Sequence, residues 1–132
     1  MVGHADFIAV ARRNRKLFGG GMRQAGIIAA GALHALRNHV QRLAEDHQHA
    51  RLLAERLAGA RRLRIDPGRI QTNIVLGTVT DGTPAPDLVS ELVRAGVLCA
   101  SLDAGTVRFV THLDVSRDDV DAAIERAGAV LT

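Results

Sequence analysis

Five cations and three consecutive glycines stand together between residues 12 and 24. Lys16 and Arg23 lie on either side of Gly19–Gly21, and an apolar segment of helical character follows. Glycines allow a sharp turn and a close backbone approach, while a helix N-terminus offers unpaired N–H groups and a positive dipole end. This combination is suited to an anion such as a phosphate. A flexible connector with a solvated basic face is the alternative, and the local sequence leaves both interpretations open.

Arg108 is the second residue that could do chemistry. It interrupts the segment Thr106–His112, whose other residues are typical of a half-buried strand. An arginine at that point either faces solvent or meets a planar anion with two parallel hydrogen bonds. Arginine is rarely buried, so its position alone favours solvent.

The histidines and the single cysteine predict no site. No two of the six histidines are four residues apart, the spacing with which one helix face binds a metal. Cys99 lies within a predicted strand, where a lone thiol is usually inert packing, and no base can be placed beside it. We therefore predict neither a metal site nor a cysteine nucleophile.

The composition indicates one soluble globular domain. The chain has 132 residues, of which 47% are hydrophobic and 23% are charged. The pI near 10.4 raises the question of a nucleic-acid partner. We predict none, because the other cations are interspersed with acidic residues and no aromatic residues alternate with them to stack bases. The longest apolar run, Ala25–Leu33, is too short to span a membrane, and a single cysteine without a secretory signal predicts a cytoplasmic protein.

Two helices are predicted to position the glycine loop. The first covers residues 5–16. The second runs from Met22 to about Leu57, with a bend near Arg37–His39 and Gly59 as its C-terminal cap. Its first half is apolar on every side, which predicts burial, and its second half is amphipathic. Residues 1–60 are thus predicted to form a helical segment with a long interdomain helix.

Residues 61–132 are predicted to form a small α/β domain, an antiparallel sheet with helices on one face. The predicted elements are a strand at Ile70–Val79, a helix from about Pro86 to Arg94 closed by Gly96, a hairpin of Val97–Ser101 with Thr106–Thr111, and a last helix opened by a capping box at Ser116–Asp119.

Four segments, in this order, resemble the C-terminal part of the threonine aldolases, and the resemblance covers essentially the whole chain. They are Lys16–Gln24, Arg42–His47, Gln71–Val75 and Arg108–Ser116. The family consists of pyridoxal-phosphate lyases of amino-acid metabolism with the aspartate aminotransferase-like fold, fold type I. The resemblance implies that the α/β domain is the C-terminal small domain of such an enzyme.

The resemblance also implies an activity and three site residues. Threonine aldolases cleave β-hydroxy-α-amino acids such as L-threonine and L-allo-threonine to glycine and an aldehyde, with pyridoxal phosphate as the electron sink. Arg108 corresponds to the arginine that binds the substrate α-carboxylate. Lys16 and Arg23 correspond to cations that reach the cofactor phosphate region of a neighbouring subunit. The implied partner is a second copy of the chain or a complementary N-terminal aldolase chain.

Two departures from the family pattern bear on activity. Asn14 stands where the family commonly has tryptophan. The family's Schiff-base lysine lies upstream of the segment that Met1–Ile8 resembles, and Lys16 matches a different family position, so no catalytic residue is assigned in this chain. We therefore expect a truncated aldolase that is silent alone. The alternative is a non-catalytic interaction or oligomerisation module derived from the same fold.

Overall fold

In the computed structural model, which describes residues 1–132, the chain divides into two units, Met1–Val40 and Gln41–Thr132. The sequence predicts a division near residue 60, whereas the structure divides about one helix earlier. The reason is that the helix Leu43–Leu57 packs its apolar face into the core of the second unit. An amphipathic helix belongs to the unit whose core buries its apolar face.

The first unit contains two helices, α1 (Ala5–Leu17) and α2 (Ala25–Asn38). The extent of α1 confirms the predicted helix. Neither helix contains a buried residue. The apolar start of the second helix is exposed in the single chain, where Ile27 is 75% exposed and Ile28 is 66% exposed, so its predicted burial stays a prediction that requires a partner.

The long helix predicted from Met22 to Leu57 is broken in two. Helix α2 ends at Asn38, a turn follows, and α3 begins at Leu43. Asn38 donates from Nδ2 to the backbone oxygen of His34 at 2.8 Å, the kind of local bond by which asparagine competes with helix continuation. The bend expected near Arg37–His39 is thus a complete interruption just after that point.

The second unit is built on a four-stranded antiparallel sheet in the order β1-β2-β4-β3. Its strands are β1 (Leu63–Ile65), β2 (Ile74–Val79), β3 (Ala100–Ser101) and β4 (Thr106–Val110). The β3–β4 pairing confirms the predicted hairpin, although β3 is only two residues long. Strand β2 begins later than predicted, and the three-residue β1 is too short for its alternation to be recognised in the sequence.

One face of this sheet is covered by helices and the other is open. Val75, Val107 and Phe109 point to the buried side, where α3, α4 (Ala85–Arg94) and α5 (Arg117–Leu131) pack. The intervening residues of β2 and β4 lie on the exposed side. The prediction of an antiparallel sheet with helices on one face is confirmed.

Helix ends follow the local signals in two of three cases. Gly96, with φ +84°, follows the end of α4, and the Ser116–Asp119 capping box opens α5 with both of its bonds formed. Gly59 does not form the predicted left-handed cap, because α3 ends at Leu57 and Gly59 has no positive φ. The chain leaves α3 through a bond from the Ala60 N–H to the Leu57 oxygen instead.

Candidate functional site

The glycine loop of the first unit closes α1 and leads to α2. The backbone N–H of Gly20 donates to the Arg15 oxygen at 2.7 Å, and that of Gly19 donates to the Lys16 oxygen at 3.2 Å. Gly19 has φ +80°, a conformation that a residue with a Cβ rarely adopts. The loop is therefore a hydrogen-bonded turn, and Lys16 lies just before it in the last turn of α1.

Lys16 and Arg23 are exposed and make no hydrogen bond or ion pair. Gln24, the residue before α2, makes no side-chain bond to the first turn, so the helix N-terminus is uncapped. Arg23 directly precedes the uncapped start of α2, and Lys16 lies at the end of α1 before the glycine loop. Unpaired cations and a helix N-terminus are groups that suit a phosphate. The same cations are solvated, as the connector interpretation also predicts.

Arg108 lies on β4, on the open face of the sheet. It is opposite Leu76 of β2 and opposite Ala100 of β3. Its guanidinium is exposed and forms no hydrogen bond or ion pair in the chain. The expectation from position alone, that Arg108 faces solvent, is therefore confirmed, and the group is free to bind an external anion.

The acidic residue nearest to Arg108 along the chain is Asp103, and its carboxylate is already engaged. Its Oδ1 accepts from the Gly105 N–H at 2.8 Å, and its Oδ2 accepts from the Thr106 hydroxyl at 3.1 Å. These bonds, the one from Gly105 first, hold the pKa of Asp103 below its usual range. The Asp103 carboxylate therefore stabilises its own turn and forms no ion pair with Arg108.

Three of the four segments that carry the resemblance meet behind β4. The Thr111 hydroxyl donates to the Asp46 backbone oxygen at 2.6 Å, and Asn73 donates from Nδ2 to the Thr111 oxygen at 2.7 Å. Asp46 is only 4% exposed, and its Oδ1, 3.6 Å from an Arg42 nitrogen, accepts no hydrogen bond. These contacts fix the end of the strand that carries Arg108 against α3.

Sequence reasoning missed one cluster, centred on Arg62. Its Nε donates to Asp81 at 2.6 Å, and its Nη1 donates to Glu91 at 2.6 Å and to the Val130 oxygen at 3.0 Å. The bonds from Arg62 and then from the Thr83 N–H lower the pKa of Asp81 to about 2, and the same carboxylates raise the pKa of Arg62. No local signal could reveal it, because the partners lie 19 and 29 residues away.

The remaining candidates stay structural. Cys99 packs against the core, and burial raises the pKa of its thiol to about 11, so it is protonated at neutral pH. No group of three histidine, cysteine, aspartate or glutamate side chains is arranged to hold a metal ion. None of the helices combines the length and the apolar character that crossing a membrane requires.

Solved structures that superpose on the chain show its fold class. The chain superposes on an ornithine aminotransferase of Toxoplasma gondii with a TM-score of 0.62 and 19% identity, covering 79% of this chain and 25% of that one. It superposes on a C-DES variant with glycine covalently linked to the PLP cofactor with a TM-score of 0.61 and 18% identity, covering 79% and 28%. The fold is that of the fold type I pyridoxal-phosphate enzymes, as predicted.

Sequence comparison then identifies the family. The profile of the β-eliminating lyases matches residues 1–80, so the chain belongs to the β-eliminating lyase family. It is 43% identical over 122 residues to the low specificity L-threonine aldolase of Escherichia coli K12, covering 91% of this chain and 34% of that enzyme. A probable low-specificity L-threonine aldolase 2 of Arabidopsis thaliana is 38% identical over 123 residues, covering 92% and 35%. The resemblance to threonine aldolases is confirmed, and the chain spans about a third of the length of these relatives.

Proposed function

We propose that this chain is the C-terminal part of a threonine aldolase, which cleaves L-threonine, L-allo-threonine and related β-hydroxy-α-amino acids to glycine and an aldehyde. The observation that carries the proposal is the unpaired Arg108 on the open face of the sheet. Aldolases among the relatives support the reaction class. Because the chain spans only a third of those enzymes, the complete activity belongs to an assembly larger than these 132 residues.

Arg108 binds the α-carboxylate of the amino acid. A guanidinium presents its N–H groups in a planar fork that matches the two oxygens of a carboxylate. Fixing the carboxylate at one end of the substrate fixes the orientation of the bonds at the α-carbon. The role of Arg108 is therefore binding and orientation.

Lys16 and Arg23 bind the phosphate of pyridoxal phosphate. Their charges are unpaired, and the uncapped start of α2 adds N–H donors beside Arg23. When bound, the cofactor supplies an electron sink for the carbon–carbon cleavage. Lys16 and Arg23 neutralise the phosphate and anchor one end of the cofactor.

The isolated 132-residue chain is proposed to be inactive. Its only lysine is Lys16, for which we propose phosphate binding and not covalent attachment of the cofactor. The chain therefore contributes binding groups and no group that performs the bond cleavage.

Self-association of the first unit is proposed as the way in which the assembly forms. Helix α2 has no buried residue, and its isoleucines and leucines are exposed although they would normally lie in a core. The same observation favours the alternative function, an oligomerisation module without catalysis. We also propose a cytoplasmic location, which the single cysteine supports.

A chimera tests the proposal. This chain would replace the matching third of the Escherichia coli enzyme, and glycine release from L-threonine would be assayed with added pyridoxal phosphate. We expect a measurable aldolase rate from the chimera and none from the chain alone. An inactive chimera that folds and assembles like the parent would refute the aldolase proposal and leave the oligomerisation module.

Matched variants separate the proposed roles. Arg108→Lys keeps the charge and loses the fork, so we expect kcat/KM to fall by about 10- to 100-fold, the value of one or two charged hydrogen bonds. Arg64→Lys is the control, since Arg64 is also exposed on the open face but lies on β1, which β2 separates from β4. Arg23→Gln should weaken cofactor affinity, measured by absorbance titration, and should leave the KM for threonine unchanged at saturating cofactor.

A further inference from the structure

The side chains immediately around Arg108 on the open face carry no charge. Leu76 lies opposite it on β2, Ala100 lies opposite it on β3, and Thr106 and Val110 lie two residues along β4. Directly opposed residues in an antiparallel pair have Cβ atoms about 4.5–5.5 Å apart, within reach of an arginine stem. Leu76 is 48% exposed, so part of its side chain remains open to solvent on this face.

The chain offers many carboxylates and places none on this face. It contains 14 acidic residues, and the acidic residue nearest to Arg108 in sequence, Asp103, is engaged by Gly105 and Thr106. In contrast, Arg62 at the sheet edge is paired with both Asp81 and Glu91. Opposite charges in a cross-strand pair attract each other, so an acidic residue at position 76 would pair with Arg108.

We propose that Leu76 is a positioning residue for Arg108. It packs beside the arginine stem and holds the position opposite Arg108 free of charge, so that the guanidinium stays unpaired until an external carboxylate binds. The inference rests on the proposed function, because the external carboxylate is that of the amino-acid substrate.

Chemical modification of the 132-residue chain tests this directly. Phenylglyoxal reacts with unpaired arginines, and mass spectrometry of peptides gives a rate for each site. In the wild-type chain Arg108 should react as fast as exposed Arg64, and Arg62 should be a slow internal reference. Leu76→Glu should slow Arg108 by about fivefold, the effect of a cross-strand ion pair near 1 kcal/mol.

Two variants separate charge from shape. Leu76→Gln has the shape of Leu76→Glu without its charge, and Arg108 should react at the wild-type rate. Val93→Glu adds the same charge at a residue of α4 that is 42% exposed, in the layer on the other side of the sheet, and should leave Arg108 unchanged. If Leu76→Glu folds and Arg108 reacts at the wild-type rate, or if Leu76→Gln slows it equally, the proposal is overturned.

A kinetic arm separates this inference from the aldolase proposal. In the active chimera, Leu76→Glu should raise the KM for L-threonine by about fivefold with little change in kcat. The uncharged Leu76→Gln variant should not raise the KM in this way. An unchanged KM alongside a slowed modification would overturn the positioning role and leave the aldolase proposal intact. An inactive parent chimera would count against the aldolase proposal, while the modification rates would still decide whether Leu76 keeps Arg108 unpaired.

Discussion

Nη1 of Arg62 lies 2.6 Å from Oε2 of Glu91, and this ion pair links the residue that precedes the edge strand β1 to helix α4. The same guanidinium also reaches Asp81 in the loop before α4 and the backbone of α5 through Val130. One side chain therefore connects the sheet with two of the three helices that cover it. The Arg62 cluster therefore stabilises the packing of α4 and α5 on the sheet face opposite to Arg108.

Arg62→Met should destabilise the chain by about 1–2 kcal/mol, because it removes several charged hydrogen bonds from a partly exposed cluster. Urea unfolding followed by circular dichroism measures the loss. Arg64→Met is the control, since the neighbouring Arg64 makes no such bond, and it should change the midpoint little. Equal midpoints for the two variants would show that the Arg62 cluster adds nothing to stability.

Acid should weaken the Arg62 cluster within a defined range of pH. Arg62 and Thr83 lower the pKa of Asp81 in the folded chain to about 2, against about 3.9 in an unfolded chain. A lowered folded pKa means that its stabilisation is complete above about pH 4 and is lost as the pH falls toward 2. Glu91, with its pKa also lowered by Arg62, acts in the same direction.

Urea midpoints measured between pH 5 and pH 2.5 test this. The wild type and the Arg64→Met control should lose stability steeply over that range. The Arg62→Met variant should lose less, because Asp81 and Glu91 then titrate closer to their unfolded values. Parallel pH profiles for all three proteins would contradict the assignment.

Gly77→Ala should destabilise the second unit by about 1–3 kcal/mol through overpacking. Gly77 lies on the buried side of β2, and an added Cβ would be 2.6 Å from Cγ of fully buried Leu63. The control is Gly128→Ala in α5, where nothing lies within 4 Å of the added atom, so a gain of about 0.5–1 kcal/mol is expected. Leu63→Val should cost less in the Gly77→Ala background than in the wild type.

The 132-residue chain should self-associate through α2. Sedimentation velocity at rising concentration should show species larger than the monomer, and Ile28→Glu should shift them toward the monomer, since it places a charge on an apolar helix face. Leu98→Glu, which adds the same charge at an 84% exposed residue of the second unit, should not. A wild-type chain that stays monomeric at high concentration would refute the prediction.

Local signals in the sequence were enough for several elements. Helix α1, helix α4 with Gly96 at its end, and the Ser116–Asp119 capping box are predicted and confirmed, because each signal spans a few consecutive residues. The same holds for the β3–β4 hairpin and for the single-faced sheet, since alternation along a strand marks its two sides. The ordered segments from Lys16 to Ser116 were specific enough to indicate the family.

Three features could not be predicted from local signals. They are the break after Asn38, the short strand β1 and the position of α3 in the second unit. Helical periodicity runs through residues 22–57, whereas α3 belongs to the second unit because its buried residues, among them Leu53 and Leu57, are part of that unit's core. A three-residue strand has too little alternation to be recognised and exists because β2 pairs with it.

The sequence by itself predicted the candidate anion-binding residues, which are the cations beside Gly19–Gly21 and Arg108, each in a segment with a family resemblance. The tertiary structure alone decided that Arg108 stands opposite Leu76 on an open face, and that Arg62, not Arg108, receives the carboxylates of Asp81 and Glu91. The physical reason is range. Residue types and their spacing carry information over a few consecutive residues. The ion pairs of Arg62 join residues that are 19 and 29 positions apart in the chain, and they form only when the sheet and its helices pack.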